Sequence, residues 1–120
     1  PAFVEGPGKG FLDRFKNSGP RGALIAERLF EMGDKRVAEM DAAGIDMMVL
    51  SLNSPGVEQM EAADAIPCAC DANDFLAAAI KRHPTRYAGF AALPIQAPDE
   101  AANDAASVRA EAAGKSAESA

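Results

Sequence analysis

A short polar loop follows an apolar run in this 120-residue chain. Residues 47–52 suit a buried strand, and the next four residues, Asn53-Ser54-Pro55-Gly56, have the chemistry of a turn. In α/β proteins, ligands bind at the carboxyl ends of parallel strands. Asn53 and Ser54 are therefore candidate substrate-binding residues, with the Asn53 amide able to donate to a substrate hydroxyl or carboxylate. A plain turn that satisfies its own backbone is the alternative.

Other residues that often carry chemistry have simpler interpretations here. The sequence GPGKG at residues 6–10 lacks the hydroxyl residue and the preceding strand of a phosphate-binding loop. His83, the single histidine, is expected at the end of a helix as a cap. Cys68 and Cys70 diverge on a predicted helix, so they cannot form a normal disulfide or share an ion. A catalytic zinc needs three converging protein ligands, usually with histidine among them, so we expect this chain alone to hold no such site.

The other polar side chains are predicted to be structural. Asn73 lies beside an apolar helical stripe and is expected to bond to the backbone as a buried amide. Negative charge favours the start of a helix, where four of the carboxylates are expected. These four are Asp34, Asp64, Asp99 and Glu100, while Glu58, Glu61 and Glu111 are expected on solvated faces. No catalytic acid or base is assigned.

The composition is that of a soluble globular protein, with 48% hydrophobic and 25% charged residues. The net charge of −6 disfavours a nucleic-acid partner and an anionic membrane surface, because both require a basic face. No apolar run approaches the roughly 20 residues that span a bilayer. We expect a cytoplasmic protein.

Hydrophobic periodicity predicts helices and strands in alternation. A proline inside the long middle helix, Pro67, is tolerable only in its first turn, so that helix is most secure from about Asp64. Asp34 is the expected N-cap of the preceding helix and Gly44 its left-handed C-terminal cap. The predicted elements are helix 20–32, helix 34–43, strand 46–52, helix 64–83, strand 87–93 and helix 95–112, with strands buried on both faces.

This order of elements predicts an α/β fold with two parallel strands. About 40 residues separate the strands, which suits a crossover through a helix. Two parallel strands alone leave both sheet edges open, so further strands are needed to complete a domain.

The run DKRVAEMDAAGIDMMVLSLNSPGVEQM, followed by ANDFLAAAIKRHPTRYAGFAALPIQAPDEAA, resembles the amidohydrolase-related proteins of the aminocarboxymuconate-semialdehyde decarboxylase type. Within that family it is most similar to the γ-resorcylate and dihydroxybenzoate decarboxylases, over about residues 24–106. The resemblance implies part of a (β/α)₈ TIM barrel, of which this chain supplies about two parallel strands with their flanking helices. It divides the chain into an irregular segment 1–23, a partial barrel domain 24–113 and a frayed tail 114–120.

The resemblance also implies a function for the parent protein. A divalent metal, zinc or manganese, would act as Lewis acid on a small carboxylic acid, with decarboxylation of a hydroxylated aromatic acid as the expected reaction. By this resemblance, the family's metal ligands and catalytic acid would lie on strands before Pro1 and beyond Ala120. This chain alone is thus expected to bind no metal and to be inactive, and the parent to be a homo-oligomer. A hydrolase of the same superfamily and a non-catalytic α/β interaction module are the alternatives. On this interpretation, Asn53 and Ser54 emerge at the barrel mouth.

Overall fold

The computed structural model describes residues 5–6, 9–54, 56–103 and 105–106 of the chain. Its elements are α1 Lys9–Lys16, α2 Pro20–Phe30, α3 Asp34–Ala43, β1 Met48–Ser51, a 3₁₀ helix Val57–Gln59, α4 Ala62–Arg82 and β2 Tyr87–Phe90. Residues 98–103 and 105–106 are also helical, as predicted for the last helix. Pro55, the rest of that helix and the tail lie outside the described residues.

The two strands form a parallel pair joined through α4, which confirms the predicted α/β arrangement. Met48 pairs with Tyr87 at one end, and Ser51 pairs with Phe90 at the other. The carboxyl ends of both strands therefore lie at the same edge of the sheet. The segments that follow β1 and β2 start side by side.

Both strands are shorter than predicted. The pairing stops at Ser51 and Phe90, although strands 46–52 and 87–93 were expected from the apolar runs. Beyond β2, the backbone N–H and carbonyl of Ala92 are bonded to the side chain of Asn73, so they are not free for a strand ladder. The apolar pattern continues past the point where backbone pairing ends.

The main core lies on one face of the sheet. Met40 of α3 and Ala79 of α4 pack there with Leu50 and Tyr87, and all four are buried. The opposite face is open: Val49 is 55% exposed and Phe90 is 70% exposed. Among the described residues the helices cover one face only, so the burial on both faces that the apolar runs suit requires neighbours that a two-stranded segment lacks.

The boundaries of α3 partly match the prediction. Gly44 has φ 70° and ψ 30°, the expected left-handed C-terminal cap, and its N–H donates to carbonyls of the last turn. At the other end the N-cap is Gly33 rather than Asp34, and no side chain caps the helix. Asp34 is the first helical residue instead, where its carboxylate pairs with His83 Nε2 at 3.4 Å.

Helix α4 begins at Ala62, two residues earlier than the expected secure start at Asp64. Pro67 consequently falls in the second turn, and the expectation that it occupies the first is wrong. The early start follows from the carbonyl of Glu61, which accepts bonds from the N–H groups of Asp64 and Ala65. Proline has no N–H to donate, so the carbonyl four residues before it forgoes its helical bond. Helix α4 ends at His83 as predicted.

Residues 9–16 are helical, although the segment 1–23 was expected to be irregular. Helix α1 spans Lys9–Lys16, and α2 begins at Pro20, as the predicted helix 20–32 does. Leu12 is buried, and a Cβ at Gly22 would collide with the carbonyl of Phe15, so the two helices meet at a corner that only glycine permits. Gly22, one of the scattered glycines that obscure the helical period in the sequence, allows this close approach.

Candidate functional site

The candidate loop after β1 presents one free side chain and one bonded side chain. Asn53 is exposed, and within the described part of the chain its amide has no hydrogen-bond partner. Ser54 is also exposed, but its hydroxyl donates to Glu58 Oε1 at 2.7 Å. The loop thus offers an uncommitted amide at the carboxyl end of the strand, in the position predicted from the sequence.

Glu58 organises this loop. Its carboxylate accepts the Ser54 hydroxyl and also the backbone N–H of Gly56, at 2.9 Å to Oε1 and 3.0 Å to Oε2. The Gly56 N–H, followed by the Ser54 hydroxyl, lowers the pKa of Glu58. Glu58 was expected on a solvated face, and it is exposed. The spacing Ser-x-Gly-x-Glu is a sequence signal for the local bonding that the expectation did not include.

Gln96 connects the loops that follow the two strands. Its Nε2 donates to the carbonyl of Val57 at 2.7 Å and to the carbonyl of Met60 at 2.6 Å. These carbonyls flank the 3₁₀ helix that carries Glu58. Sequence reasoning did not single out Gln96, because its partners are main-chain atoms that give no residue-type pattern.

Asn73 fixes the segment that contains Gln96 to helix α4. Its Nδ2 donates to the carbonyl of Ala92 at 2.9 Å, and its Oδ1 accepts the N–H of Ala92 at 2.7 Å. This confirms the expectation that Asn73 is an amide bonded to the backbone. A continuous series of contacts therefore runs from α4 through Ala92 and Gln96 to the candidate loop.

Of the other predicted polar residues, His83 lies at the far end of α4 from the loop, whereas Cys68 packs beside it. His83 is the C-cap of α4, before β2, and its ring contacts Tyr87 edge to face with centroids 5.6 Å apart. Cys68 and Cys70 form no disulfide, and burial raises the pKa of Cys68. Cys68 packs against the buried cluster of Val57, Ala65 and Ala69, which follows the candidate loop. No cluster of three His, Cys, Asp or Glu side chains suited to a metal ion occurs among the described residues.

A cleft of about 520 Å³ lies at the amino end of β1, away from the candidate loop. Its lining includes Arg28, Arg36 and Glu39. Arg36 donates to the carbonyls of Arg28 and Glu31, and Arg28 pairs with Glu39 at 3.4 Å. These arginines tie α2 to α3, and we do not place the functional site there.

Comparison with known proteins identifies the family. No family model matches the chain. Over 81 residues, which are 67% of this chain and 25% of the relative, it is 46% identical to γ-resorcylate decarboxylase from Polaromonas sp. strain JS666. The chain belongs to the amidohydrolase-related decarboxylase family. It spans about a quarter of the length of the curated relatives that it matches.

Solved structures of amidohydrolase-related decarboxylases share the fold. The 2,6-dihydroxybenzoate decarboxylase from Rhizobium has a TM-score of 0.70 and 39% identity over 76% of this chain and 28% of that one. Dihydroxybenzoic acid decarboxylase from Polaromonas sp. JS666, solved with manganese and the inhibitor 2-nitroresorcinol, has a TM-score of 0.70 and 38% identity over 86% of this chain and 29% of its own. The described elements are therefore a segment of a TIM barrel.

Ligating side chains are scattered over the described residues. The described part of the chain brings no three ligating side chains together, and its one histidine faces Asp34 at the amino end of the sheet. In the described residues there is also no helix long and apolar enough to cross a membrane.

Proposed function

We propose that the full-length protein containing this segment is a metal-dependent decarboxylase of hydroxylated aromatic acids. The supporting observation is the 46% identity to γ-resorcylate decarboxylase. An aligned stretch of 81 residues in a chain of 120 must include residues 40–81, so the candidate loop lies within it. The net reaction takes up one proton at the ring carbon that loses carbon dioxide.

In this proposal Asn53 binds the substrate. Its amide is exposed and uncommitted, and it stands at the carboxyl end of a barrel strand, where substrates of such barrels bind. A side-chain N–H can donate to the carboxylate or to a ring hydroxyl of a dihydroxybenzoate. Ser54 lies beside Asn53 in the same proposed binding surface. Its hydroxyl donates to Glu58, so it can only accept a hydrogen bond from the substrate.

The test is an assay of the full-length protein loaded with manganese. With 2,6-dihydroxybenzoate, we expect release of carbon dioxide together with 1,3-dihydroxybenzene in equal amounts. The matched control substrate is 2,6-dimethoxybenzoate, which lacks the hydroxyl donors and should not turn over. Cleavage of an ester or lactone without release of carbon dioxide would favour the hydrolase alternative. Failure to turn over any hydroxylated aromatic acid, with metal bound, would favour the interaction module.

The metal and the assembly belong to the same proposal. Manganese is bound in the Polaromonas relative, and zinc is the alternative ion. Reconstitution of the metal-free full-length protein with each ion separately, followed by the carbon dioxide assay, distinguishes them. We further propose a cytoplasmic homo-oligomer, which cell fractionation and light scattering test.

A further inference from the structure

The side chain of Gln96 braces the candidate loop from the neighbouring strand. Gln96 follows β2, whereas the carbonyls that it bonds belong to Val57 and Met60, 39 and 36 positions earlier. Both bonds are short, at 2.7 and 2.6 Å, and one nitrogen makes them both. A single amide group therefore holds both ends of the 3₁₀ helix after β1.

The 3₁₀ helix in turn determines where the loop can go. Val57 is 3% exposed and packs against Ala65 and Ala69 of α4, and this contact anchors the start of the 3₁₀ helix. Glu58, the next residue, bonds the Ser54 hydroxyl and the Gly56 N–H. A movement of the 3₁₀ helix would therefore carry the loop, including Asn53, with it.

The carbonyl oxygen of the Gln96 amide makes no hydrogen bond that could stabilise the loop. Its Oε1 is buried and, within the described residues, has no hydrogen-bond partner. Burying an unpaired carbonyl oxygen lowers stability, so an apolar side chain of the same size would avoid that cost. The two donated bonds are what the amide supplies at this position.

We propose that Gln96 is a positioning residue that fixes the Asn53 loop for substrate binding. This inference rests on the proposed function, because it assigns Gln96 a role through Asn53. Gln96 itself does not touch the substrate, since its oxygen is sealed from solvent and its nitrogen is engaged. Gln96 acts by fixing the position of the Asn53 amide, and that amide contacts the substrate.

The principal variant is Gln96→Met in the full-length manganese enzyme, because methionine keeps the volume and removes both donors. We expect KM for 2,6-dihydroxybenzoate to rise about 3- to 10-fold with kcat within about twofold, since a misplaced binding group weakens ground-state and transition-state binding alike. Bound manganese should not change. A purely structural role would lower the active fraction, and hence kcat, without moving KM. That result would overturn the proposal.

A double-mutant cycle tests the route through Asn53. If Gln96 acts by placing Asn53, then Asn53→Ala should cost kcat/KM at least about threefold less in the Gln96→Met background than in the wild type. Independent effects would multiply, and that outcome contradicts the proposal. If the Met variant does not fold, Gln96→Glu replaces the amide nitrogen by an oxygen at the same size and enters the same cycle.

Amide hydrogen exchange supplies a readout that needs no activity. We expect faster exchange at Gly56 and Met60 in Gln96→Met than in the wild type. Asn73→Asp is the matched control: it removes the donor to the Ala92 carbonyl and loosens the same segment, but leaves the Gln96 bonds in place. Equal exchange in the two variants, or no change in Gln96→Met, would overturn the brace. A wild type without decarboxylase activity would instead refute the proposed function, and the exchange result would still decide the brace.

Discussion

Asn53 and Ser54, the two candidate residues after β1, differ in the hydrogen-bond donors that remain free for a substrate. The Ser54 hydroxyl donates its hydrogen bond to Glu58, whereas the Asn53 amide is exposed and has no hydrogen-bond partner among the described residues. An exposed amide contributes little to folding, so a substitution there can separate binding from stability. Asn53 is consequently the sharper test of the loop.

Replacing Asn53 by alanine in the full-length enzyme should reduce kcat/KM about 10- to 150-fold. A hydrogen bond to a charged partner is worth about 1.5–3 kcal/mol, and each 1.36 kcal/mol is about tenfold. Bound metal and melting temperature should hardly change. Ser54→Ala is the matched control, expected to lower the melting temperature by loosening the Glu58 contact. A destabilised Asn53→Ala protein with normal turnover would show that Asn53 only forms the turn.

Glu58 should make the loop sensitive to acid. Its pKa is lowered from 4.5 by the Gly56 N–H and the Ser54 hydroxyl, so its bonds stabilise the fold fully above pH 4.5. That stabilisation is lost as the pH falls from 4.5 through the lowered pKa. The measurement is the Gly56 amide shift in an NMR titration. Glu58→Gln should abolish the transition, and a transition that survives the substitution belongs to another group.

Residue-level prediction succeeded where the pattern within one helix indicates the environment of a side chain. Asn73 was recognised from its position beside an apolar stripe, and its two bonds to Ala92 confirm the inference. Gln96 was missed because its role depends on a packing that places residues 57–60 beside residue 96. The spacing of residues along the chain does not predict such a contact.

At the scale of elements, helix ends are set by the residues that depart from helical geometry. Gly44 adopts φ 70° to close α3, and only glycine takes this conformation at little cost. The turn that it makes leads directly into the segment preceding β1, where Arg86 donates to the carbonyls of Ile45 and Asp46. The end of α3 and the starts of both strands are thus one junction.

Gly44→Ala should destabilise the full-length protein by about 1–2 kcal/mol, because a Cβ in the left-handed region meets the following carbonyl. Gly10→Ala is a matched control. Gly10 lies inside α1 with nothing within 4 Å of an added Cβ, so alanine there should stabilise by about 0.5–1 kcal/mol. Urea unfolding of both variants provides the measurement. An unchanged midpoint for Gly44→Ala would show that the turn is not strained by a side chain.

The elements were predicted best where polar and apolar signals agree. The range of α3 and its glycine cap followed from an apolar face that ends at Gly44. Helix α1 was missed, because its contact with α2 depends on glycines that look like breakers in a linear sequence. The strand ends were overextended, because apolar character outlasts the backbone pairing that defines a strand.

At the scale of the whole fold, the described part of the chain is a slab. Its principal extents are 46 × 39 × 16 Å, which leaves room for one layer of helices on one layer of sheet. The sequence correctly predicted a barrel segment with open sheet edges. It could not show which sheet face would be bare, because the apolar pattern of the strands suits burial on both faces.

The isolated 120-residue chain should self-associate or unfold with weak cooperativity. Val49 and Phe90 lie on the open face, and each exposed apolar side chain forgoes roughly 1.5–3 kcal/mol of burial. Sedimentation and urea unfolding measure the two alternatives. The double variant Val49→Ser with Phe90→Ser should increase the monomer fraction, while Leu24→Ser with Leu29→Ser on α2 is the control for exposed apolar residues elsewhere. Cooperative monomeric unfolding with a normal denaturant slope would contradict the expectation.

The crossover helix also has a consequence for the order of folding. Tyr87 must find Met48, 39 positions earlier, and closing a flexible loop of that length costs entropy before any pairing is gained. Once α4 forms, its 21 residues become a rod about 31 Å long, and only short flexible segments remain at its ends. We therefore expect Ala78→Gly, at an exposed position of α4, to slow refolding more than it speeds unfolding in stopped-flow measurements. In this view α4 forms before the two strands pair.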